Sequence, residues 1–206
     1  AAPAPAAVPP VLTEGQARAA LITADDLGEA WEPTRGAATW RDELLKATAE
    51  RPDCRRLLDV LYTEDLFGTA PRAMAALDDT DGGAQLHYRV TSHRAADLDR
   101  TLTWLGTLPD TCGHFTSRAA HGPARDVRVT AVPLPEAGEA RQGVRVTLNA
   151  GESVLTVDLV AVRVGDDAAA LTIGTLTEPS DDPTWTATET GARRLTEARR
   201  QGRVQV

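Results

Sequence analysis

GVRVTLNAGESVLTVDLVAVRVGDDAAALTIGTL, residues 143–176, reads as three consecutive antiparallel strands joined by two tight turns. Val144, Val146, Leu148 and Ala150 alternate with Arg145, Thr147 and Asn149, the period of a half-buried strand. Ala150-Gly151-Glu152-Ser153 supplies the first turn. Residues 154–164 then run apolar on both faces, as an interior strand does. Gly165-Asp166-Asp167 breaks the chain again, because Gly tolerates positive φ and Asp bonds its own backbone in turns. Residues 168–175 return as the third strand. This meander predicts a sheet with a buried face that the remaining elements cover or extend.

Outward from the meander, the chain supplies both kinds of element. Thr13 can cap a helical run that carries Ala17, Ala20, Leu21 and Ala24 on one face. A short turn of helix over 24–28 ends at Gly28, and Trp31 follows in an extended segment closed by Pro33. Pro52 and Asp53 begin a helix with Leu57, Leu58 and Leu61 as its buried stripe, with Gly68 expected at its exit. Residues 70–77 and 84–93 form two strands around the turn-rich loop Asp78-Asp79-Thr80-Asp81-Gly82-Gly83. Leu98, Leu102 and Leu105 mark an amphipathic helix over 94–108 that Pro109 is expected to stop. Strands are expected over 114–119 and 126–134, and a closing helix over 184–200. The fold class is therefore α+β: a twisted antiparallel sheet of about six strands with helices packed on one face. The expected organisation is an Ala/Pro-rich spacer over 1–12, one domain over 13–200 and a frayed tail over 201–206.

The chain of 206 residues carries a net charge of −8, which argues against nucleic acid or an anionic membrane surface as the main partner. Lys46 is the sole lysine and Asn149 the sole asparagine. Such a bias reflects high-GC coding and bears on lineage, not function. No apolar run has the length of a signal peptide or a transmembrane span. The spacer AAPAPAAVPP, in a chain without an initiating Met, fits a mature exported protein trimmed of its signal or lipid-anchor region. The plainer alternative is a boundary inside a longer cytosolic chain. Cys54 and Cys112, an even count in this context, are read as a disulfide worth on the order of 4 kcal/mol, the alternative being two buried free thiols.

Candidate sites are sparse. His114 and His121 lack the spacing of a metal motif, and Asp79-Thr80-Asp81-Gly82 lacks the closing Glu of a calcium loop. Gly151-Glu152-Ser153 sits in a hairpin and not at a strand-to-helix elbow, and no Gly-rich phosphate loop occurs. No enzyme, metal or cofactor is expected. The candidate site is instead a polar sheet face built from His87, Arg89, Thr91, Arg128, Arg145, Thr147 and Asn149. Such a face is either solvated, as in a one-sided antiparallel sheet, or the floor of a cleft suited to a polar or anionic ligand.

Four motifs taken together resemble a family. They are Leu21-Ile22-Thr23-Ala24-Asp25-Asp26-Leu27-Gly28 with Trp31, the Cys-led leucine run Cys54-Arg55-Arg56-Leu57-Leu58, Cys112-Gly113-x-Phe115, and Pro133-Leu134-Pro135. In this order they are similar to actinobacterial extracytoplasmic lipoproteins related to the extracellular sensor domain of PknH-like receptor kinases, over most of residues 13–200. The resemblance implies helices packed on a twisted antiparallel sheet, a groove for an unidentified ligand, and a lipid anchor upstream of the spacer as the sole membrane attachment. The kinase relatives typically carry two disulfides, whereas this chain has cysteines for one. The resemblance supplies no catalytic residues. The expected function is a non-enzymatic, sensor-like envelope domain that binds a small polar ligand or an envelope protein. The alternatives are a structural interaction module without a small-molecule ligand, and an envelope hydrolase.

Overall fold

The computed structural model describes residues 2–4 and 11–204. Most of the expected spacer lies outside these residues, but Leu12 is buried in the core. Thr13 caps helix α1 (Glu14–Ala19) through a capping box: its Oγ1 accepts from the Gln16 N–H at 3.2 Å, and Gln16 Oε1 accepts from the Thr13 N–H at 2.8 Å. Helix α2 (Ala24–Leu27) ends at Gly28, whose φ of 113° suits glycine alone. Strand β1 (Trp31–Pro33), a wide π-type turn (Arg41–Leu45) and strand β2 (Ala47–Thr48) lead to helix α3 (Pro52–Thr63). Strands β3 (Ala73–Asp79) and β4 (Gln85–Ser92) precede helix α4 (Ala95–Thr111). Strands β5 (His114–Ala119), β6 (Ala124–Ala131), β7 (Ala140–Ala150), β8 (Ser153–Val164) and β9 (Asp167–Thr175) follow, and helix α5 (Asp181–Val204) closes the chain.

The strands form one sheet in the order β1-β3-β4-β9-β8-β7-β6-β5-β2, with every pair antiparallel. Nine strands replace the expected six or so. The two at the edges, of three and two residues, are too short to show an alternating pattern. Pro33 is tolerated in β1 because that strand is an edge, where a missing N–H breaks no ladder.

Helices cover both faces of this sheet, not one. Leu155, Val157, Leu159 and Ala161 of β8 pack with Val144, Val146 and Leu148 of β7 against Leu57, Leu58 and Leu61 of α3 and Leu102, Leu105 and Leu108 of α4. The intervening Val160, Val162 and Val164 of β8 join Leu86, Tyr88 and Val90 of β4 in a second core under α1 and α5. The strand period of two sends alternate residues of β8 into different cores, so both parities must be apolar.

Three helices depart from expectation at their ends. Helix α4 continues through Pro109 to Thr111, because a proline this close to the end removes a single N–H. The Cys112 N–H still reaches the Leu108 carbonyl at 2.8 Å. Helix α3 stops at Thr63 and not near Gly68, with Glu64 turning the chain at φ 61°. Helix α5 starts at Asp181, ahead of Thr184, and continues to Val204, into the expected tail. The disulfide is present: Cys54 in the first turn of α3 bonds Cys112 at the end of α4, with the Cα atoms 5.5 Å apart.

Gly191 lets α5 approach the sheet over Tyr88. A Cβ at this position would overlap the Tyr88 hydroxyl and stand 2.9 Å from Cζ. Tyr88 is fully buried and its hydroxyl has no partner among the described residues, so burial drives its pKa well above the usual phenol value.

Gly191→Ala therefore should destabilise by about 1–3 kcal/mol, the overpacking cost exceeding the gain in helix propensity. Tyr88→Phe should be neutral or stabilising, since it deletes an unsatisfied hydroxyl. Urea denaturation of both variants and their combination checks this, and the double variant should recover part of the loss. In the same assay, reduction of Cys54–Cys112 should cost about 2–5 kcal/mol, with intact-mass analysis showing the gain of one hydrogen per thiol.

Candidate functional site

The expected polar face does not exist as one surface. Cross-strand partners share a face, and the register carries Leu86 to Ile173, Asp158, Arg145 and Thr130 across β4, β9, β8, β7 and β6. Starting one residue later, it carries His87 to Thr172, Leu159, Val144 and Ala131. His87, Arg89 and Thr91 thus lie on the α3/α4 face, and Arg128, Arg145, Thr147 and Asn149 on the α5 face. The expectation of a shared face is corrected on this ground.

On the first face, His87 and Arg89 converge on Glu64, a residue that sequence reasoning missed. Glu64 is the one non-glycine residue with positive φ among those described, and its N–H is 2.7 Å from the Val60 carbonyl. Its side chain is 11% exposed and faces Arg41 Nη1 at 3.3 Å, Arg89 Nη2 at 3.1 Å, Thr172 Oγ1 at 3.4 Å and His87 Nδ1. Burial pushes the Glu64 carboxyl upward. The His87 hydrogen bond and the charges of His87, Arg41 and Arg89 outweigh it and hold the carboxyl below its ordinary value of 4.5.

The other His87 nitrogen, Nε2, meets Gln85 Oε1 at 3.1 Å. Gln85 in turn donates through Nε2 to Asp78 Oδ1 at 2.8 Å and to the Gly36 carbonyl at 2.9 Å. A polar chain thereby ties the end of α3 to the loop after β1. Only about 10 Å³ of free space remains there, room for one water at most. The cluster locks the fold, and a ligand larger than water does not fit.

On the opposite face, Arg145 forms a two-point pair with Asp158, Nε to Oδ1 at 2.7 Å and Nη2 to Oδ2 at 2.9 Å. Its Nη2 also reaches Asp181 Oδ1 at 2.7 Å, and Thr184 Oγ1 donates to Asp158 Oδ2 at 2.6 Å. These bonds pin the first turn of α5 onto β7 and β8. The hydrogen bond to Asp158 above all raises the Arg145 pKa further, so the guanidinium stays charged throughout. With both oxygens engaged, Asp158 is committed to binding and is not free as a general base.

A cleft of about 170 Å³ opens beside this pair, between the ends of β8 and β9, the β3–β4 turn and the loop before α5. Asp79, Thr156, Asp158, Thr175, Thr177 and Glu178 give it a polar lining. Thr175 and Thr177 bond each other at 2.8 Å, and Thr177 Oγ1 donates to the Gly82 carbonyl at 2.8 Å. Thr156 is 6% exposed and lines the cleft. Thr147 is its register partner on β7. Asn149 is exposed near the β7–β8 turn, and Arg128 is exposed 4.0 Å from Asp126. Thr91 is buried opposite Ala168. Of the seven expected residues, Arg145 and Thr147 alone adjoin the cleft. The signal that could have found it was the turn-dense stretch 177–183 beside strand ends that carry threonine and aspartate.

Glu64→Gln leaves Arg41 and Arg89 facing a neutral group and should cost on the order of 3 kcal/mol at neutral pH. Since the folded carboxyl titrates below 4.5, its contribution is present above that value and is lost as pH falls through the folded pKa. Denaturation midpoints taken down a pH series should therefore fall less steeply on the acid side for Glu64→Gln than for the parent chain.

No family model matches this sequence, and no curated protein matches it. Among solved structures, the chain is similar to the extracellular domain of PknH from Mycobacterium tuberculosis. That match has a TM-score of 0.56 and 12% identity, and covers 92% of this chain and 97% of that one. The Ran-binding protein Mog1p of Saccharomyces cerevisiae aligns at a TM-score of 0.29 and 10% identity, over 64% of this chain and 79% of that one. The second likeness carries no argument. At such identity the first shows a shared fold with that extracellular domain and nothing more.

Proposed function

We propose that this chain is a non-enzymatic, sensor-like domain that works outside the cytoplasm, at the cell envelope, and binds a small polar ligand in the cleft beside Arg145. The observation that carries the reading is the cleft itself, an opening of about 170 Å³ around which Thr156, Thr175, Thr177, Asp79 and Glu178 gather polar groups. Hydroxyls that donate and accept, set beside carboxylates that only accept, offer a small polar ligand several hydrogen bonds at one opening. The fold likeness to an extracellular sensor domain and the Cys54–Cys112 disulfide support the location.

The lining indicates the chemistry of the ligand. Threonine hydroxyls and the carboxylates of Asp79 and Glu178 face the cleft, while the nearest cation, Arg145, is taken up by Asp158 and Asp181. This set suits a compact ligand that carries hydroxyl groups or an amine, and disfavours an anion. Arg145 and Thr147 act at the margin, Arg145 by fixing Asp158 and the start of α5. His87, Arg89 and Thr91 stand on the other face and take no part.

Thermal-shift and native mass measurements against envelope extracts and polyol or amine compounds test the reading. Thr156→Val keeps the shape and removes the hydroxyl, so a compound bound in the cleft should lose about tenfold in affinity while the melting midpoint of the free protein stays near the parent value. Equal binding by Thr156→Val would place the ligand elsewhere and overturn the proposal. Turnover of the bound compound would overturn its non-enzymatic part.

A further inference from the structure

A second opening, of about 540 Å³, lies along the part of β5 that the two-residue strand β2 leaves uncovered, within the size range of ligand pockets. It is lined in part by Glu50, Arg51, Arg55, Phe115, Thr116 and Arg118. Two of its arginines are fixed by neutral acceptors. Arg51 donates through Nη1 to the Thr111 carbonyl and through Nη2 to the His114 carbonyl at 2.9 Å. Arg55 donates through Nε to the Ala49 carbonyl and through Nη2 to the Glu50 carbonyl, both at 3.1 Å. Carbonyl bonds orient a guanidinium without cancelling its charge. Arg118 is exposed. Among the described residues none of the three has a carboxylate within salt-bridge distance, although eleven other arginines in this acidic chain do.

The backbone at the groove is also open. The Val129 N–H bonds the Gly113 carbonyl at 3.1 Å, so odd-numbered residues of β5 bond β6 and the backbone N–H and C=O groups of His114, Thr116 and Arg118 face away from β6. Arg118 pairs with Thr48, where β2 ends, and Arg51 takes the His114 carbonyl. Thr116 is left between them, its N–H without a partner among the described residues.

We infer that this groove is an oxyanion site, taking the carboxylate or phosphate group of a small organic ligand. The Arg118 fork and the free Nη1 of Arg55 bind the oxygens, the Thr116 N–H donates to the same group, and Phe115 provides an apolar wall for the rest of the ligand. Planar guanidinium forks match both oxyanions in two-point geometry. The site shares no residue with the cleft beside Arg145 and has the opposite charge preference, so the two proposals stand or fall separately.

The test uses the whole chain labelled for amide NMR, titrated with inorganic phosphate and, separately, with succinate, at constant ionic strength set by chloride. Saturable binding of either probe, with amide shifts centred on Thr116 and Arg118, is the expected result. Phosphate binding alone or succinate binding alone would each support the site and assign its oxyanion class. Arg118→Gln, an exposed change that leaves the core intact, should weaken binding about tenfold, whereas Arg193→Gln, exposed on α5, should leave it unchanged. Shifts no larger than those from chloride would overturn the inference. So would shifts centred on the Thr156 cleft, undiminished binding by Arg118→Gln, or an equal loss in Arg193→Gln.

Discussion

Burial of β8 on both faces is the constraint from which the architecture follows. Its eight consecutive buried residues, from Leu155 to Val162, cannot be sheltered by one helical layer, because successive side chains point to opposite sides. Two layers are required. Helices α3 and α4 form one, joined by the disulfide, and α1 and α5 form the other. Strand β9, buried along its whole length beside β8, extends the same condition to the middle of the sheet.

The charged groups take their places within this frame. Each helical layer is fastened to the sheet by a partly buried ion cluster: Glu64 with Arg41, His87 and Arg89 at the end of α3, and Arg145 with Asp158 and Asp181 at the start of α5. Such clusters add little net stability against an apolar alternative, but loss of one partner is costly. That asymmetry suits them to fix position. Glu64 stands in a backbone conformation unusual for a residue with a side chain, at the joint where α3 turns toward the sheet. The second cluster borders the cleft, so the pair that seats α5 also shapes the polar pocket beneath its first turn.

Much of this was legible in the residues. The cap at Thr13, the leucine stripes of α3 and α4, the meander at 143–176 and the pairing of Cys54 with Cys112 all depend on near neighbours or on a count of two. The misses fall where local pattern is silent or is outweighed. Strands β1 and β2 are too short to alternate. Pro109 lies near enough to the end of α4 for tertiary anchoring to prevail over its intrinsic effect. The apolar character of residues 154–164 on both faces already pointed to two helical layers, and helices on one face was the weaker reading of it.

Alternation within a strand separates its residues into two sets but does not say which set meets which core. In β4 the apolar set packs under α5, and in β7 it packs under α3 and α4. The polar sets, His87 with Arg89 and Arg145 with Thr147, therefore emerge on opposite faces although they look equivalent in the sequence. By itself the sequence determined the longer elements, their order, the disulfide and most of the residues that must be buried. The tertiary structure alone decided the faces, and with them the Glu64 lock, the Thr156 cleft and the arginine groove. Parity between strands is set by hydrogen-bond register across residues far apart in the chain, where local patterns carry no information.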